Sequence, residues 1–294
     1  MPSKTFKNAV GVAVIAGLVS TRSRGLRRGA LRLTALIAGA VATNEAAGKP
    51  VPFLRWSFLQ LMMNIKKVTT EWQVGDGREE ACAQYVAANA RRGDVDDVIA
   101  TIDTFARNNS FLINVGDEKG EILDAAMRSA NPKFILELGC YVGYGALRLA
   151  RSSPEARVVS IEFLPANAAI ARRNISHAGL SDRVTVVDGT LGDGGKTIEH
   201  LRTVIGLGPG ELDAVFLDHD KAVYLSDLHL LEDSGWLHPG SVAVADNVKF
   251  PGAPDYKAYM EEVDGKRWRT TAHATHAEYQ SVIPDLVLES VYLG

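Results

Sequence analysis

Apolar residues recur with helical spacing in three segments before Gly116. In the third segment, five apolar residues between Val95 and Phe105 would share one helix face, because residues three and four positions apart lie on the same side. Asp94 precedes this segment and is suited to cap its first turn. The predicted helices are Arg55–Thr70, Glu79–Ala90 and Val95–Asn108.

After Gly116 the pattern changes to short apolar runs that alternate with helical segments. Runs that are apolar throughout are typical of parallel strands covered by helices on both faces. The predicted strands are Phe134–Leu138, Arg157–Glu162, Arg183–Val187, Leu212–Asp218 and Ser241–Asp246, with helices at Ala146–Arg151, Pro165–His177, Lys196–Ile205 and Ala222–Asp233. Trp268–His276 and Leu286–Leu293 are too close for a crossover helix, which predicts an antiparallel pair. The expected fold is α/β, a doubly wound, mostly parallel seven-stranded sheet with an antiparallel edge, preceded by N-terminal helices.

Charge is distributed unevenly along the chain. Residues 1–44 carry seven basic residues and no acid, whereas residues 45–294 carry 25 basic and 35 acidic residues. An acidic body repels phosphates, so the sequence argues against a nucleic-acid partner.

The basic N-terminal segment contains two apolar runs, Asn8–Ser20 and Thr34–Thr43, on either side of a cationic stretch. Each run is shorter than the roughly 20 residues that span a bilayer. The pattern predicts association with an anionic membrane surface through residues 1–44; a signal peptide within residues 1–20 and a tail without a role are the alternatives. We expect this segment and its linker to comprise residues 1–53, and the main domain residues 54–294.

The two cysteines, Cys82 and Cys140, lie far apart and in no metal-binding spacing. They are expected to be free thiols, with a disulfide between them as the alternative. Free thiols indicate a reducing compartment, so we expect a cytoplasmic location.

A glycine-rich turn follows the first strand and holds Glu137, Gly139, Tyr141, Gly143 and Gly145. Ligands of such sheets bind at the carboxyl ends of the strands, where glycines allow the backbone to approach closely. The spacing differs from the dinucleotide fingerprint, and Glu137 would repel phosphates. The same charge favours a cationic ligand such as a sulfonium with an amino group.

Acidic residues also end three of the other strands. Glu162 could accept hydrogen bonds from ribose hydroxyls, or cap the helix that follows it. Asp218, Asp246 and Asn247 end neighbouring predicted strands and offer the oxygen ligands that Mg²⁺ prefers; helix caps are the alternative for the aspartates.

Two further residues are candidates for proton transfer and substrate binding. Lys221 lies three residues after Asp218, where a divalent cation would disfavour its ammonium form and make it a usable general base. Glu278 precedes the last strand and could orient a second substrate hydroxyl. The alternative for both is an ordinary surface charge.

At these residues the chain resembles the catechol O-methyltransferase family, from about Gln73 to Gly294. The similar blocks are INVGD (Ile113–Asp117), LELGCYVGYG (Leu136–Gly145), VFLDHDK (Val215–Lys221), ADNVKFPGAP (Ala245–Pro254) and AEYQSV (Ala277–Val282).

The resemblance implies a Rossmann-like methyltransferase fold and Mg²⁺-dependent methyl transfer from S-adenosylmethionine to a catechol-like small molecule. It implies that Phe111 and Pro251 flank the aromatic ring, that Lys221 is the general base and that Glu278 binds the second hydroxyl. The metal ligands would be Asp218, Asp246 and Asn247. The predicted cofactor-binding residues are Val115, Glu137, Gly139, Tyr141, Gly143, Gly145, Glu162 and Asp218.

The sequence departs from the family pattern at three places. Gly145 stands where the family usually has serine, and Leu191-Gly192 stand where it has Ser-Gln, so cofactor contacts are expected to differ. Asp220 replaces a tryptophan that gates the substrate site, which is expected to alter selectivity for the ring. The rival functions are a nucleotide-dependent oxidoreductase and a non-catalytic, S-adenosylmethionine-binding or membrane-tethered scaffold.

Overall fold

The computed structural model describes residues 24–48, 54–64 and 73–294. The chain divides into two compact units, the first ending at Met63 and the second beginning at Asn64.

The first unit contains helix α1 (Arg24–Ala46) and helix α2 (Trp56–Met63). The carboxylate of Glu45 in α1 accepts a hydrogen bond of 3.2 Å from the backbone amide of Trp56 at the start of α2. The predicted apolar run Thr34–Thr43 belongs to α1, whereas Asn8–Ser20 and the end of the predicted helix Arg55–Thr70 lie outside the described residues. Within the described ranges, no helix is both long enough and apolar enough to cross a bilayer.

The second unit alternates helices and strands. Its helices are α3 (Arg78–Asn89), α4 (Val95–Asn108), α5 (Gly116–Ala130), α6 (Tyr144–Ser152), α7 (Pro165–His177), α8 (Lys196–His200, continued by a wider turn at Leu201–Ile205), α9 (Tyr224–Asp233, preceded by a 3₁₀ turn at Lys221–Val223) and α10 (Pro254–Glu262). Its strands are β1 (Phe134–Leu138), β2 (Arg157–Glu162), β3 (Val184–Asp188), β4 (Leu212–Leu217), β5 (Leu237–Ala245), β6 (Trp268–His276) and β7 (Pro284–Tyr292).

The seven strands form one sheet in the order β3-β2-β1-β4-β5-β7-β6. The first five are parallel, and β7 pairs antiparallel with both β5 and β6. The expected fold is therefore confirmed, including its antiparallel edge. Leu136, Val215 and Ala243 in three neighbouring strands are fully buried in the core, which explains why these strands are apolar throughout.

Two helices were not predicted, and several element boundaries differ from the predicted ones. Helix α5 holds two glycines and a mixed charge pattern, and α10 begins with a proline and is rich in charged residues, so neither has a clear apolar period in sequence. Strand β5 begins at Leu237 instead of Ser241, because Pro239 and Gly240 disguise its first half. The Asp94 cap is confirmed, since its side chain accepts a hydrogen bond from the backbone amide of Asp97. Cys82 and Cys140 are both free and buried.

Candidate active site

The register of the parallel strands aligns the residues that follow them. Leu138 pairs with Ile161 and with Leu217, and Leu217 pairs with Ala245. The next residue along each strand is therefore at the same level of the sheet. Gly139, Glu162, Asp218 and Asp246 consequently form a row at the carboxyl edge, as the sequence predicted.

The turn after β1 approaches the neighbouring strand closely. Gly139 has a φ of +97°, and a Cβ there would lie 2.6 Å from the carbonyl oxygen of Asp218. Only glycine fits this conformation and this space. Tyr141 also has a positive φ of 49°, and its hydroxyl donates a hydrogen bond of 2.9 Å to Glu79. Gly143 completes the turn as the residue before α6.

Glu162 is held by backbone donors on both sides. One carboxylate oxygen accepts hydrogen bonds from the amides of Cys140 and Tyr141, at 3.1 and 2.8 Å, and the other accepts from the amide of Leu164 at 2.9 Å. Burial raises the pKa of Glu162, and the three amides oppose that rise. Glu162 therefore stabilises the start of α7, as the capping interpretation expects, and it also fixes the glycine-rich turn; its contact with ribose hydroxyls stays a prediction.

Glu137 is fully buried and has fewer partners than Glu162. One of its carboxylate oxygens accepts a short hydrogen bond from Ser160, while the other, Oε1, has no partner in the part of the chain that the structure describes. Burial raises the pKa of Glu137 to about 8. A Cβ at Gly145 would lie 2.1 Å from Oε1, so the orientation of Glu137 requires glycine at the position where the family usually has serine.

The other departures and flanking residues have definite places as well. Leu191 is buried in the hydrophobic core, whereas a Cβ at Gly192 would meet no atom within 4 Å. Asp220 caps the 3₁₀ turn by accepting a hydrogen bond of 3.0 Å from the amide of Ala222.

Val115 is buried immediately before α5. Phe111 is buried and packs edge-on against the ring of Tyr279, with ring centroids 6.3 Å apart; Pro251 is exposed.

Lys221 pairs with one of the predicted metal ligands. Its ammonium nitrogen lies 3.0 Å from Oδ1 of Asp218, and both side chains are almost buried. The same nitrogen lies 5.0 Å from the centre of the Tyr224 ring, which also stacks on His219. His219 in turn contacts Asp227 at 2.9 Å. The chain therefore brings Lys221 to the end of β4, as predicted.

Asp246, Asn247 and Glu278 are joined through one side-chain network. The amide nitrogen of Asn247 donates hydrogen bonds to Glu278 at 2.8 Å and to Asp285 at 2.9 Å. Burial raises the pKa of Asp246; Lys119 opposes the rise, and Asp218 and Glu278 add to it. Across the part of the chain that is described, no group of three or more His, Cys, Asp or Glu side chains forms a ready metal cage.

Sequence reasoning missed two members of this network, Lys119 and Asp285. Lys119 lies in α5 with its side chain 1% exposed, and its nitrogen is 2.8 Å from Asp246 and 2.6 Å from Glu278. Asp285 is the second residue of β7 and has a fully buried side chain. Lys119 follows the INVGD block by two residues, which was the only available signal, since a lone lysine on an unpredicted helix is normally solvated.

Comparison with known proteins shows the family to which the chain belongs. Residues 97–259 match the model of the O-methyltransferase family. A probable O-methyltransferase of Mycobacterium tuberculosis is 60% identical over 78% of this chain and 98% of its own length. The chain belongs to the S-adenosylmethionine-dependent O-methyltransferase family.

The catechol O-methyltransferase of Bos taurus is a further relative of this O-methyltransferase, 37% identical over 88% of this chain and 94% of its own length. Among solved structures, an O-methyltransferase of Bacillus cereus in complex with SAH has a TM-score of 0.53 at 22% identity and covers 79% of this chain and 97% of its own. At that identity the likeness shows the fold alone. The predicted family is thus confirmed, while the roles of the individual site residues remain predictions.

Proposed function

We propose that the protein transfers a methyl group from S-adenosylmethionine to a hydroxyl of a catechol-like small molecule, with Mg²⁺ as the metal. The observation that carries the proposal is the row of buried acids at the carboxyl edge of the sheet, where Asp218 is paired with Lys221 and Asp246 adjoins Asn247 and Glu278. The identity with catechol O-methyltransferases supports the substrate class.

The glycine-rich turn fits a cationic cofactor. Glu137 presents a fully buried carboxylate oxygen that has no partner among the described residues. An unpartnered buried carboxylate is costly, and a cationic amino or sulfonium group nearby would offset that cost. We assign Val115, Glu137, Gly139, Tyr141, Gly143, Gly145, Glu162 and Asp218 to the cofactor site.

The acidic cluster fits a divalent cation by its charge. The carboxylates of Asp218, Asp246, Glu278 and Asp285 interact with the ammonium groups of Lys119 and Lys221. With every group ionised, the cluster keeps two negative charges in excess, which one divalent cation would neutralise. Asn247 commits its amide nitrogen to Glu278 and Asp285, which leaves its amide oxygen available as a hard ligand beside Asp218 and Asp246.

Mg²⁺, when bound, would supply positive charge that acidifies the substrate hydroxyls. Lys221, in its neutral amine form, would accept the proton of the reacting hydroxyl, and Glu278 would accept a hydrogen bond from the other one. Phe111 and Pro251 would restrict the plane of the ring. The gain in rate would come from holding the hydroxyl oxygen in line with the methyl group, which typically contributes several kcal/mol.

The decisive experiment is methyl transfer from labelled S-adenosylmethionine to a panel of catechols, with Mg²⁺ and with a chelator. We expect transfer that the chelator abolishes, and that the Asp218→Asn variant lacks. Methyl transfer that persists unchanged with the chelator would refute the proposed dependence on Mg²⁺. A folded protein that binds the cofactor but methylates no catechol would support the non-catalytic scaffold instead.

We also propose that α1 contacts an anionic membrane surface. Leu33, Leu36 and Ile37 are exposed at 60%, 71% and 44%, at positions that share one side of the helix. The sequence of α1 also contains four arginines, which favour anionic lipid.

Sedimentation with vesicles tests this surface. The full chain is expected to pellet with vesicles that contain phosphatidylserine, and a Leu33→Ser, Leu36→Ser, Ile37→Ser variant to remain in solution. Equal recovery of both proteins in the pellet would exclude this face as the contact.

A further inference from the structure

Lys119 is a charged residue in an almost completely buried place. Its ammonium nitrogen lies 2.6 Å from Glu278, 2.8 Å from Asp246 and 3.2 Å from Asp285. Three carboxylates surround the ammonium group and favour its charged form. A buried ammonium group is tolerated only where several anions surround it.

The three carboxylates come from separate parts of the fold. Asp246 follows strand β5, Glu278 lies in the loop between β6 and β7, and Asp285 lies in β7. Asp285 also accepts hydrogen bonds from the backbone amides of Lys249 and Phe250, at 3.3 and 2.9 Å. Lys119 therefore links α5 to the two segments that flank the proposed metal and substrate positions.

The contact with Asp246 has an electrostatic consequence for the proposed metal. A fixed positive charge next to a ligand repels a divalent cation. The contact with Glu278 instead favours substrate binding, because it fixes the carboxylate that is to accept a hydrogen bond from the second hydroxyl. Asn247 donates to the same Glu278 oxygen, so that carboxylate is held from two sides.

We propose that Lys119 is a positioning residue of the active site, which holds Glu278 in place for the substrate and weakens the binding of Mg²⁺ through its contact with Asp246. This inference rests on the proposed function, since it takes Mg²⁺ as the resident metal. A weakly held metal would be gained and lost with the cycle of substrate and product.

The test is Mg²⁺ titration by calorimetry into the full chain saturated with S-adenosylhomocysteine, which cannot react. Two neutral variants are compared with the wild type. Lys119→Gln removes the charge but keeps hydrogen-bond donors, and Lys119→Met removes both. We expect each variant to bind Mg²⁺ about tenfold more tightly than the wild type, because the cluster then carries three excess negative charges.

If Lys119→Met does not fold, the Mg²⁺ affinity of Lys119→Gln alone tests the inference. The inference is overturned if the wild type binds Mg²⁺ and the Gln variant binds it equally or more weakly, and the proposed metal then still stands. If the wild type binds no Mg²⁺, both the metal and this inference fail. An exposed control, Lys257→Met, is expected to leave Mg²⁺ binding unchanged.

A kinetic measurement separates positioning from a general loss of structure. With saturating Mg²⁺, Lys119→Gln is expected to raise the KM for the diol by about fivefold, the effect of one weakened hydrogen bond, and to change kcat less. A loss confined to kcat would contradict the placement of Glu278 by Lys119.

Discussion

Glu137 and Glu162 are two buried carboxylates at the same sheet edge that differ in their donors. Glu162 accepts three backbone hydrogen bonds, whereas Glu137 accepts one from Ser160 and keeps a free oxygen. Backbone amides stabilise the ionised form, so the environment of each residue sets its charge. Two residues of the same type thus differ in how far the chain itself satisfies their carboxylates.

Glu137→Gln is expected to change the pH dependence of stability in the cofactor-free protein. The pKa of Glu137 is about 8 in the folded chain and ordinarily 4.5, so between these values the unfolded chain releases a proton that the folded chain retains. The wild type therefore loses stability as pH rises from 4.5 to 8, by about 5 kcal/mol at most, relative to the variant. Denaturant unfolding across this range measures the difference. Parallel stability curves for the two proteins would show that Glu137 titrates normally.

Lys221→Met is expected to lower turnover by about 10²- to 10⁴-fold, the usual contribution of a general base. Methionine keeps apolar contact with the Tyr224 ring, so cofactor affinity is expected to stay within a few-fold of the wild type. Turnover and the Kd for S-adenosylmethionine are measured on the same preparation. Equal losses in both would show that Lys221 has a structural role.

At the scale of elements, helix ends and strand ends fix the site. Helix α4 begins at an Asp94 side chain that accepts a hydrogen bond of 3.0 Å from the amide of Asp97. The same helix supplies Asp103, which accepts a hydrogen bond from Tyr279 beside Glu278. The cap of α4 thus supports an element that contacts the loop of the active site.

Asp94→Ala is expected to destabilise the protein by about 1 kcal/mol, because one amide of the first turn loses its acceptor. Asp94→Asn retains an acceptor oxygen and is expected to lose less. The midpoint of urea unfolding measures both variants. An Ala variant as stable as the wild type would mean that water replaces the cap without cost.

At the scale of the whole molecule, the loop with Glu278 is held by contacts that are distant in sequence. The Tyr279 hydroxyl donates a hydrogen bond of 2.9 Å to Asp103, and its ring packs against Phe111. Lys119 of α5 holds Glu278 from another direction. The substrate side of the site therefore depends on the docking of α4 and α5 against the β6–β7 loop.

Tyr279→Phe is expected to cost about 1 kcal/mol of stability and to raise the KM for the diol, since the ring stays but the hydrogen bond is lost. Unfolding and steady-state kinetics measure the two effects. Tyr292→Phe, at the distal end of β7, serves as the control. A Tyr279→Phe variant with unchanged KM would show that the ring alone places the loop.

The sequence by itself determined the architecture and the positions of the main acids. The parallel strands consist mainly of apolar residues, and burial on both faces favours that composition. Because parallel strands end at one edge, Glu162, Asp218 and Asp246 could be assigned to one site before any contact was known. The boundary between residues 53 and 54, and the role of residues 1–44, stay predictions.

Only the tertiary structure decided which partners each of these acids has. Lys119 and Asp285 join the site through pairings across more than a hundred residues, and neither lies in a recognisable local pattern. The reason for glycine at position 145 is likewise found only in the tertiary structure, where the Glu137 carboxylate occupies the space of a Cβ. Local patterns fix elements because the pattern and the element have the same period, whereas charge pairing depends on distances that arise only when the elements pack.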